Sequence, residues 1–307
     1  MKITSWSLSD MGRKRDHNED SHLRDDELRL YVVADGMGGH QGGGHASRMA
    51  VDILQREIVA AGDVTEAARS ILEADPLSAV LPQELGALLP MGRPSSLPTL
   101  VRWGSGPLSE ESYEDISDMP TDPNVTVVPP PAATVLRSAA RAAGREIYDA
   151  AQMEAELAGM GTTLTAALFH EGRAHLVHVG DSRAFLFRDG RAHQVTEDHS
   201  WIAEQVRAGV LTEAEARESK FRHIITRSVG FEREVEVDLL GVPVLPGDVY
   251  LLCSDGLSNY VDVDELSQVL GSTFCSKVPR LLVDLANDRG GDDNITVVVV
   301  QAANDAG

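Results

Sequence analysis

From residue 30 to residue 40 the chain reads LYVVADGMGGH. The five apolar residues at its start predict a buried strand, and the pair Asp35-Gly36 follows where that strand should end. A strand end presents its next side chain at the rim of a sheet, so converging rims would gather such carboxylates around one point. The other acidic residues at predicted strand ends or beside them are Asp181 after residues 177–180, Asp255 after residues 250–254, Asp292 and Asp293 before residues 295–300, and Glu19 and Asp20 in the polar segment 15–20.

This carboxylate pattern predicts a metal site. Clustered carboxylates repel one another unless a cation lies among them, and ligand sets made only of oxygen select Mg²⁺ or Mn²⁺ over zinc. Glycine beside the acids lets backbone carbonyls and a bulky anion approach closely. A single Asp-Gly pair is more often a turn, but four similar sites in one chain favour a shared centre. Arg15 adds a guanidinium, the side chain best shaped to hold a phosphate.

The amino-acid composition argues against several classes of function. The chain has 307 residues, with 48 acidic against 27 basic side chains and a formal charge of −21. That balance argues against nucleic acid or an anionic membrane as a partner, since both require a positive face. No stretch reaches the ~18 apolar residues of a transmembrane helix, and the first residues lack the apolar region of a secretory signal. Two cysteines suit a reducing compartment. We therefore expect a cytoplasmic protein without membrane insertion.

The prolines are unevenly placed. Eleven of the 14 lie between Pro76 and Pro131, in a window with far more acidic than basic residues. Because proline removes a backbone donor, this window cannot hold a long helix or a central strand, and residues 75–133 are predicted to form an acidic, loop-rich insertion. Helical spacing over residues 45–73 and 135–157, with many short apolar runs elsewhere, favours an α+β sandwich of antiparallel strands over a doubly wound sheet.

Eight short strings carry a resemblance to a known family. They are Ser9-Asp10-Met11-Gly12 with Arg15 and Asn18-Glu19-Asp20, Asp35-Gly36-Met37-Gly38-Gly39-His40, Gly159-Met160-Gly161-Thr162-Thr163, Val179-Gly180-Asp181-Ser182-Arg183, Thr196-Glu197-Asp198-His199-Ser200, Thr226-Arg227-Ser228-Val229-Gly230, Ser254-Asp255-Gly256-Leu257 and Gly291-Asp292-Asp293-Asn294-Ile295-Thr296. With these strings the sequence resembles the metal-dependent protein phosphatases (the PPM family, or type 2C serine/threonine phosphatases), and their bacterial branch in particular. The strings occur in the family's order from about residue 3 to residue 302, outside the proline-rich window, which makes the resemblance specific.

The resemblance implies a fold of the α+β class. The family folds as a four-layer αββα sandwich, in which two antiparallel sheets are flanked by helices. We expect residues 1–307 to form a single PPM-type phosphatase domain, with the insertion at about 75–133 and a flap-like segment at about 199–224 beside the active site. A plain surface helical hairpin is the alternative for the flap. For the insertion, a docking arm, a cover near the helices and a tolerated loop without a role stay open.

The resemblance also implies a centre of two Mn²⁺ or Mg²⁺ ions at one end of the sheets, and possibly a third ion. Asp35 would bridge the two core ions, and Gly36 would offer its carbonyl to the first. Asp255 and Asp293 would hold the second. Asp293 is preferred over Asp292 because the ligand in the family directly precedes the asparagine.

Four further residues take roles from the same resemblance. Glu19 and Asp20 would reach the ions largely through waters. Asp181 would contribute to a weaker third-metal site, as in bacterial relatives. Arg15 would bind the phosphate of the substrate.

The expected reaction is hydrolysis of phosphoserine and phosphothreonine in proteins. Two dications that share a water lower its pKa enough to give hydroxide near neutral pH. This metal-bridging hydroxide would attack phosphorus in line with the leaving oxygen, while the ions and Arg15 neutralise the phosphoryl oxygens. No covalent intermediate is needed, which agrees with Cys253 lying in an apolar run, where a thiol is usually inert.

The leaving oxygen requires a proton. Eukaryotic family members usually have a histidine directly after the Asp-Gly pair, whereas this chain has Met37 there. His40 is the local candidate for the general acid. Its alternatives are a role in loop structure or in ordering water, in which case water would protonate the product.

The expected partners are phosphorylated proteins, among them an opposing Hanks-type serine/threonine kinase and its targets. A phosphoprotein-binding pseudo-phosphatase is one rival interpretation, and the intact acids Asp35, Asp255 and Asp293 disfavour it. A phosphatase for the regulator of a partner-switching circuit is another, and the sensory domains usual in such proteins are not recognised here. A zinc pair of His40 and His45 lacks further ligands, and residues 36–44 match no nucleotide-binding glycine pattern.

Overall fold

The fold consists of short antiparallel strands and eight α-helices in the part of the chain that the computed structural model describes, residues 1–38, 42–74, 101–103, 129–221 and 223–304. The strands are β1 (Lys2–Asp10), β2 (Asp20–Asp25), β3 (Leu30–Met37), β4 (Val101–Trp103), β5 (Gly161–Thr162), β6 (Leu164–His170), β7 (Arg173–Val179), β8 (Arg183–Arg188), β9 (Arg191–Gln194), β10 (Asp238–Pro243), β11 (Val249–Cys253) and β12 (Ile295–Ala303). The helices are α1 (Gly42–Ala61), α2 (Val64–Ala74), α3 (Pro131–Met153), α4 (Trp201–Arg207), α5 (Glu213–Glu218), α6 (Asp255–Ser258), α7 (Val263–Ser272) and α8 (Val278–Asp288).

The strands form two sheets. The first has the order β1-β12-β11-β8-β9, and the second has the order β2-β3-β6-β7-β10-β4, with β5 paired to β3. Every strand ladder is antiparallel. Short connections such as β6–β7 and β8–β9 make neighbours in sequence neighbours in the sheet, as expected for antiparallel pairs.

The two sheets pack face to face between two helical layers. Successive side chains of a strand point to opposite faces, so Val32 of β3 packs towards α1 and α3 while Tyr31 packs between the sheets. Phe169 of the second sheet makes edge-to-face contacts with Tyr31 at 5.6 Å and, across the interface, with Tyr250 at 5.0 Å. On the far side, α7 and α8 cover β11 and β12. The prediction of an α+β, four-layer αββα sandwich is confirmed.

Two sequence predictions about helices need correction. The helical pattern over residues 45–73 belongs to two helices, because Asp63 accepts hydrogen bonds from the backbone N–H groups of Thr65 and Glu66 and so starts α2. The predicted insertion boundary at residue 133 falls inside α3, which begins at Pro131. Proline fits the first turn of a helix, where its missing donor costs nothing.

Most of the predicted insertion lies outside the described residues. Its one described strand, β4, pairs with β10 and is the outermost described strand of the second sheet. A strand at a sheet edge is compatible with a proline-rich neighbourhood. The flap-like segment contains α4 and α5, and its two ends are joined by a hydrogen bond from the N–H of Trp201 to the carbonyl of Ile224. None of the described helices is both long and apolar enough to span a bilayer.

Candidate active site

The end of the second sheet brings two of the predicted acids together. Strands β2 and β3 pair in a register that sets Asp20 opposite Asp35. The N–H of Gly36 donates to the carbonyl of Glu19 at 3.2 Å, which holds the two segments together beyond the ladder. Thr163 fixes Asp35 from the other side, since its hydroxyl accepts from the N–H of Asp35 at 2.9 Å.

The first sheet supplies the remaining acids from its adjacent strands β11 and β12. Asp255 is the first residue of α6, directly after β11, and Asp293 precedes β12. The two loops touch at Gly256, where an added Cβ would lie 2.0 Å from the carbonyl oxygen of Asn294. Only glycine allows this approach, and it is what brings Asp255 towards Asp293.

Arg15 contacts one of the predicted metal ligands directly. Its guanidinium donates to Oδ2 of Asp293 at 2.6 Å, and the two side chains are 47% and 27% exposed. The neighbouring acid Asp292 instead pairs with Lys14 on the outside of the site. The two predicted roles, phosphate binding and metal binding, therefore belong to side chains that are in contact.

Asn294 ties the site together, and sequence reasoning assigned it no role. Its side chain is buried, accepts from the N–H of Glu19 at 2.8 Å, and donates to the carbonyls of Met11 and His17 at 2.9 Å each. These bonds fasten the β1–β2 loop, which carries Arg15, to the start of β12. Two buried serines have similar roles, since Ser254 donates to Asp20 at 2.8 Å and Ser47 donates to the carbonyl of Glu19 at 2.6 Å.

Substitution of Asn294 by alanine should destabilise the protein. It removes three hydrogen bonds of a buried side chain, at about 1 kcal/mol each, so we expect the free energy of unfolding to fall by about 3 kcal/mol. Urea denaturation in EDTA measures this. Asn259→Ala is the control, because Asn259 is exposed and donates one bond, to Asp255. A loss no larger than that of the control would contradict the role of Asn294.

Asp181 stands at the turn between β7 and β8. The residue before it, Gly180, has a φ of +108°, and an added Cβ would lie 2.6 Å from the side chain of Thr163. Asp181 is buried and feels the charges of Asp255 and Asp198, while Arg183 offsets them in part. It thus belongs electrostatically to the same cluster.

Several of the predicted acids raise one another's pKa, as expected of carboxyl groups that share one site. Burial, assisted by the neighbouring carboxylates, raises the pKa of Asp20 to about 7 and that of Asp181 to about 8. The same causes raise the pKa of Asp35 and of Asp255. Asp35 and Asp255 influence each other's pKa, which places their carboxyl groups in one neighbourhood. Mutual repulsion of this kind is what a bound cation relieves.

The residues fit a hard divalent cation. Oδ1 of Asp20 and Oδ1 of Asp255 are buried and receive no hydrogen bond within the described part of the chain, so each has a free lone pair. The donor set is made of oxygens, as Mg²⁺ and Mn²⁺ prefer. Across the described ranges, no three His, Cys, Asp or Glu side chains already converge into a metal cage. The acids already lie near one another. Their final approach to an ion, in which Asp293 would separate from Arg15, would accompany metal binding.

Manganese should stabilise the protein more at pH 8 than at pH 6. An aspartate with a raised pKa binds its proton more tightly folded than unfolded, so its contribution to stability is present below about pH 4 and is lost as pH rises through the folded pKa. Bound Mn²⁺ takes the place of the protons and so offsets the loss of stability that deprotonation of the buried aspartates causes at high pH. Melting temperatures with and without Mn²⁺ at both pH values test this. Asp255→Asn should stabilise the metal-free protein at pH 8 and reduce the Mn²⁺ shift. An Mn²⁺ shift that is equal at both pH values would contradict it.

The structure thus gathers most of the predicted site residues. Asp20, Asp35, Asp181, Asp255 and Asp293 act on one another electrostatically, and Arg15 and Glu19 flank them. His40 lies outside the described residues, so its role as general acid stays a prediction, as do the individual ligand assignments.

Comparisons with known proteins agree with this arrangement. The family described as Protein phosphatase 2C matches residues 92–282. The serine/threonine phosphatase stp of Listeria monocytogenes serovar 1/2a is 31% identical over 297 residues, which are 95% of this chain and 93% of that protein. The crystal structure of the serine/threonine phosphatase PstP/Ppp of Mycobacterium tuberculosis is 30% identical and superposes with a TM-score of 0.71, covering 98% of this chain and 99% of the other.

A further solved structure bears on the metal. It is the catalytic domain of the serine threonine protein phosphatase PstP in complex with two manganese ions, at 31% identity and a TM-score of 0.67, covering 98% of this chain and 99% of that one. The match of the family to more than half of the residues, and the relatives that span nearly the whole chain, lead to one conclusion: the chain belongs to the protein phosphatase 2C family.

Proposed function

We propose that this chain is a metal-dependent protein phosphatase that hydrolyses phosphoserine and phosphothreonine with Mn²⁺ or Mg²⁺. The observation that carries the proposal is the gathering of buried carboxylates from both sheets, with Arg15 at their edge. The names of the relatives, which are serine/threonine phosphatases, and the two manganese ions in the PstP structure support the same function.

In this proposal Asp35, Asp255 and Asp293 would hold the two core ions, together with the carbonyl of Gly36. When bound, such a pair of ions supplies a hydroxide nucleophile near neutral pH. Glu19 and Asp20 would reach the ions largely through waters; Ser254 orients the carboxylate of Asp20, and Asn294 holds the backbone of Glu19. Asp181 serves a third, weaker site.

Arg15 performs the binding step on the substrate. It leaves Asp293 and donates two parallel hydrogen bonds to the phosphate, a geometry that lysine cannot reproduce. The exchange couples substrate and metal sites, since the carboxylate that Arg15 releases is the one proposed as a ligand. Arg15 also neutralises charge on the phosphoryl oxygens, which is the main demand in phosphoryl transfer.

The chain needs no covalent intermediate. Cys253 lies buried in β11, and burial raises the pKa of its thiol to about 12, so that it stays protonated and unreactive near pH 7. The residue after Gly36 is Met37, which cannot transfer a proton. Protonation of the leaving oxygen falls to His40 or to water.

Metal removal tests the proposal. Hydrolysis of a phosphothreonine peptide and of a chromogenic phosphate ester should be lost in EDTA and return with Mn²⁺. A protein that binds the phosphopeptide but hydrolyses neither compound with Mn²⁺ would be a pseudo-phosphatase, the rival function. Hydrolysis that is unaffected by chelation would reject the metal-dependent reaction.

The substrates are proposed by chemical class. They are phosphorylated proteins, and a Hanks-type kinase with a phosphorylated activation loop, together with its targets, is the proposed opposing partner in a cytoplasmic signalling pathway. Phosphoproteomics of a deletion strain tests this, because the loss of the phosphatase should raise phosphorylation of that kinase and its targets. The single-domain organisation, with the insertion at about 75–133 and the flap-like segment at about 199–224, is part of the same proposal.

A further inference from the structure

A buried polar cluster lies at the base of the flap-like segment, next to the turn that carries Asp181. It contains His178, His199 and Asp238, each at most 5% exposed, and Arg227 at its border. The two imidazole rings lie 4.8 Å apart and tilted by 33°. The proposed reaction uses none of these side chains, and burying so many polar groups is costly unless each bond is made.

His199 holds Gly180 by two reciprocal hydrogen bonds. The N–H of His199 donates to the carbonyl of Gly180 at 2.7 Å, and the N–H of Gly180 donates to Nδ1 of His199 at 3.1 Å. A backbone N–H can only donate, so Nδ1 is unprotonated and the proton of the neutral ring is on Nε2. Gly180 directly precedes Asp181, so this pair of bonds fixes the peptide that aims Asp181.

The other ring nitrogen faces Asp238. Nε2 of His199 lies 3.4 Å from Oδ2 of Asp238 and 3.4 Å from Nη1 of Arg227. Because Nε2 carries the proton and a guanidinium can only donate, Nε2 donates to Asp238, whose second oxygen accepts from Arg227 at 3.2 Å. The ring of His178 packs beside that of His199. It is itself held in place because its Nε2 donates to the carbonyl of Glu197 at 3.0 Å. Burial lowers the pKa of His178 to about 4, so His178 is neutral near pH 7 and does not compete with Arg227 for the charge of Asp238.

The same residues close the ends of the flap-like segment. The carbonyl of His199 accepts from the N–H of Thr226 at 2.8 Å, beside the Trp201–Ile224 bond described above. Three residues further, Val229 and Thr162 exchange backbone bonds, and the hydroxyl of Thr162 donates to the carbonyl of Asp35 at 2.9 Å. The base of the flap-like segment is thus connected to Asp181 on one side and to Asp35 on the other.

We propose that His199 is a positioning residue with two separable tasks. Through Nδ1 it orients Gly180 and hence Asp181 for metal binding, and through Nε2 and Asp238 it fastens the base of the flap-like segment. The first task rests on the proposed function, since it gives Asp181 the role of a metal ligand. If His199 only filled space, its substitutions would not affect metal binding and the flap-like segment independently of each other.

Two substitutions separate the tasks. In His199→Asn the amide oxygen can take the place of Nδ1 and accept from Gly180, but the side chain at position 199 no longer reaches Asp238. In His199→Gln the longer amide reaches the position of Nε2 and can donate to Asp238, but Gly180 loses its acceptor. Asp238→Asn removes the charge from the second contact, together with the ion pair to Arg227, and leaves the first contact intact, so it serves as an independent variant. Circular dichroism establishes that each variant is folded.

Direct Mn²⁺ binding by isothermal titration calorimetry, and tryptic cleavage of the metal-free protein at Arg207 and Lys220, are the two measurements. Loss of groups that orient a metal ligand typically costs about 10- to 100-fold in affinity, and we expect such a loss at the weakest Mn²⁺ site of His199→Gln. His199→Asn should rescue that affinity. Cleavage should be faster in His199→Asn and Asp238→Asn than in His199→Gln.

The outcomes are distinguishable. The crossed pattern supports the proposal. Equal effects of His199→Asn and His199→Gln on both measurements, or wild-type behaviour of both, would overturn it. Failure of the wild-type protein to hydrolyse phosphopeptides while it binds Mn²⁺ with the crossed pattern would overturn the proposed function and leave the positioning role of His199 standing.

Discussion

Asp293→Asn is expected to lower kcat/KM for a phosphopeptide at least about 100-fold, because changes in groups behind a metal ligand already cost about 10- to 100-fold. The substitution keeps the shape of the side chain and removes the charge that a dication requires. It also removes the ion pair with Arg15. Because the lost charge weakens metal binding, a moderate increase in the Mn²⁺ concentration should not restore activity. Steady-state kinetics over a series of Mn²⁺ concentrations measure it.

The neighbouring residue offers a matched control. Asp292→Asn makes the same chemical change one position earlier, where the side chain is 47% exposed and pairs with Lys14. An exposed ion pair of this kind contributes at most about 1 kcal/mol, so activity and Mn²⁺ dependence should stay close to those of the unaltered protein. If Asp292→Asn were the damaging substitution and Asp293→Asn the harmless one, the ligand assignment at this loop would be wrong.

Arg15→Ala is expected to lower kcat/KM about 100-fold, because two charge-assisted hydrogen bonds to the phosphate, at about 1.5 kcal/mol each, are lost. Mn²⁺ affinity should hold or rise, since the guanidinium no longer competes for Asp293. Arg15→Lys should recover only part of the activity, because an ammonium group makes a point contact. Kinetics and Mn²⁺ titration calorimetry on the same samples separate the two effects.

Lys14→Ala is the control for the basic loop, since Lys14 is the adjacent cation and is 66% exposed. We expect it to have little effect on either measurement. If Arg15→Ala weakened Mn²⁺ binding and left KM unchanged, Arg15 would serve to hold Asp293 rather than to bind phosphate.

The fold and the gathering of the acids could be predicted because they follow from local patterns. An apolar run followed by Asp-Gly marks a strand and its end whatever the rest of the chain does, and the order of the strings identified the family. The Asp20–Asp35 pairing follows once β2 and β3 are adjacent antiparallel strands. Long-range polar contacts could not be predicted in this way.

Asn294 illustrates the limit. Its partners Met11, His17 and Glu19 lie more than 270 positions away in the chain, and no periodicity encodes which buried donor meets which carbonyl. The contact of Arg15 with Asp293 was not predicted either, because sequence reasoning assigned Arg15 to phosphate binding and Asp293 to metal binding. The break between α1 and α2 was missed for a local reason, because the cap at Asp63 stands inside an otherwise continuous helical pattern.

A crystal of the protein soaked in manganese chloride tests the central claim most directly, through an anomalous difference map recorded at the manganese edge. The account predicts two peaks, roughly 3.5–4 Å apart as in other two-metal sites, among the carboxylates of Asp35, Asp255 and Asp293, with Arg15 turned away from Asp293. A map without a peak among these three carboxylates, in protein that is active in the same solution, would contradict it.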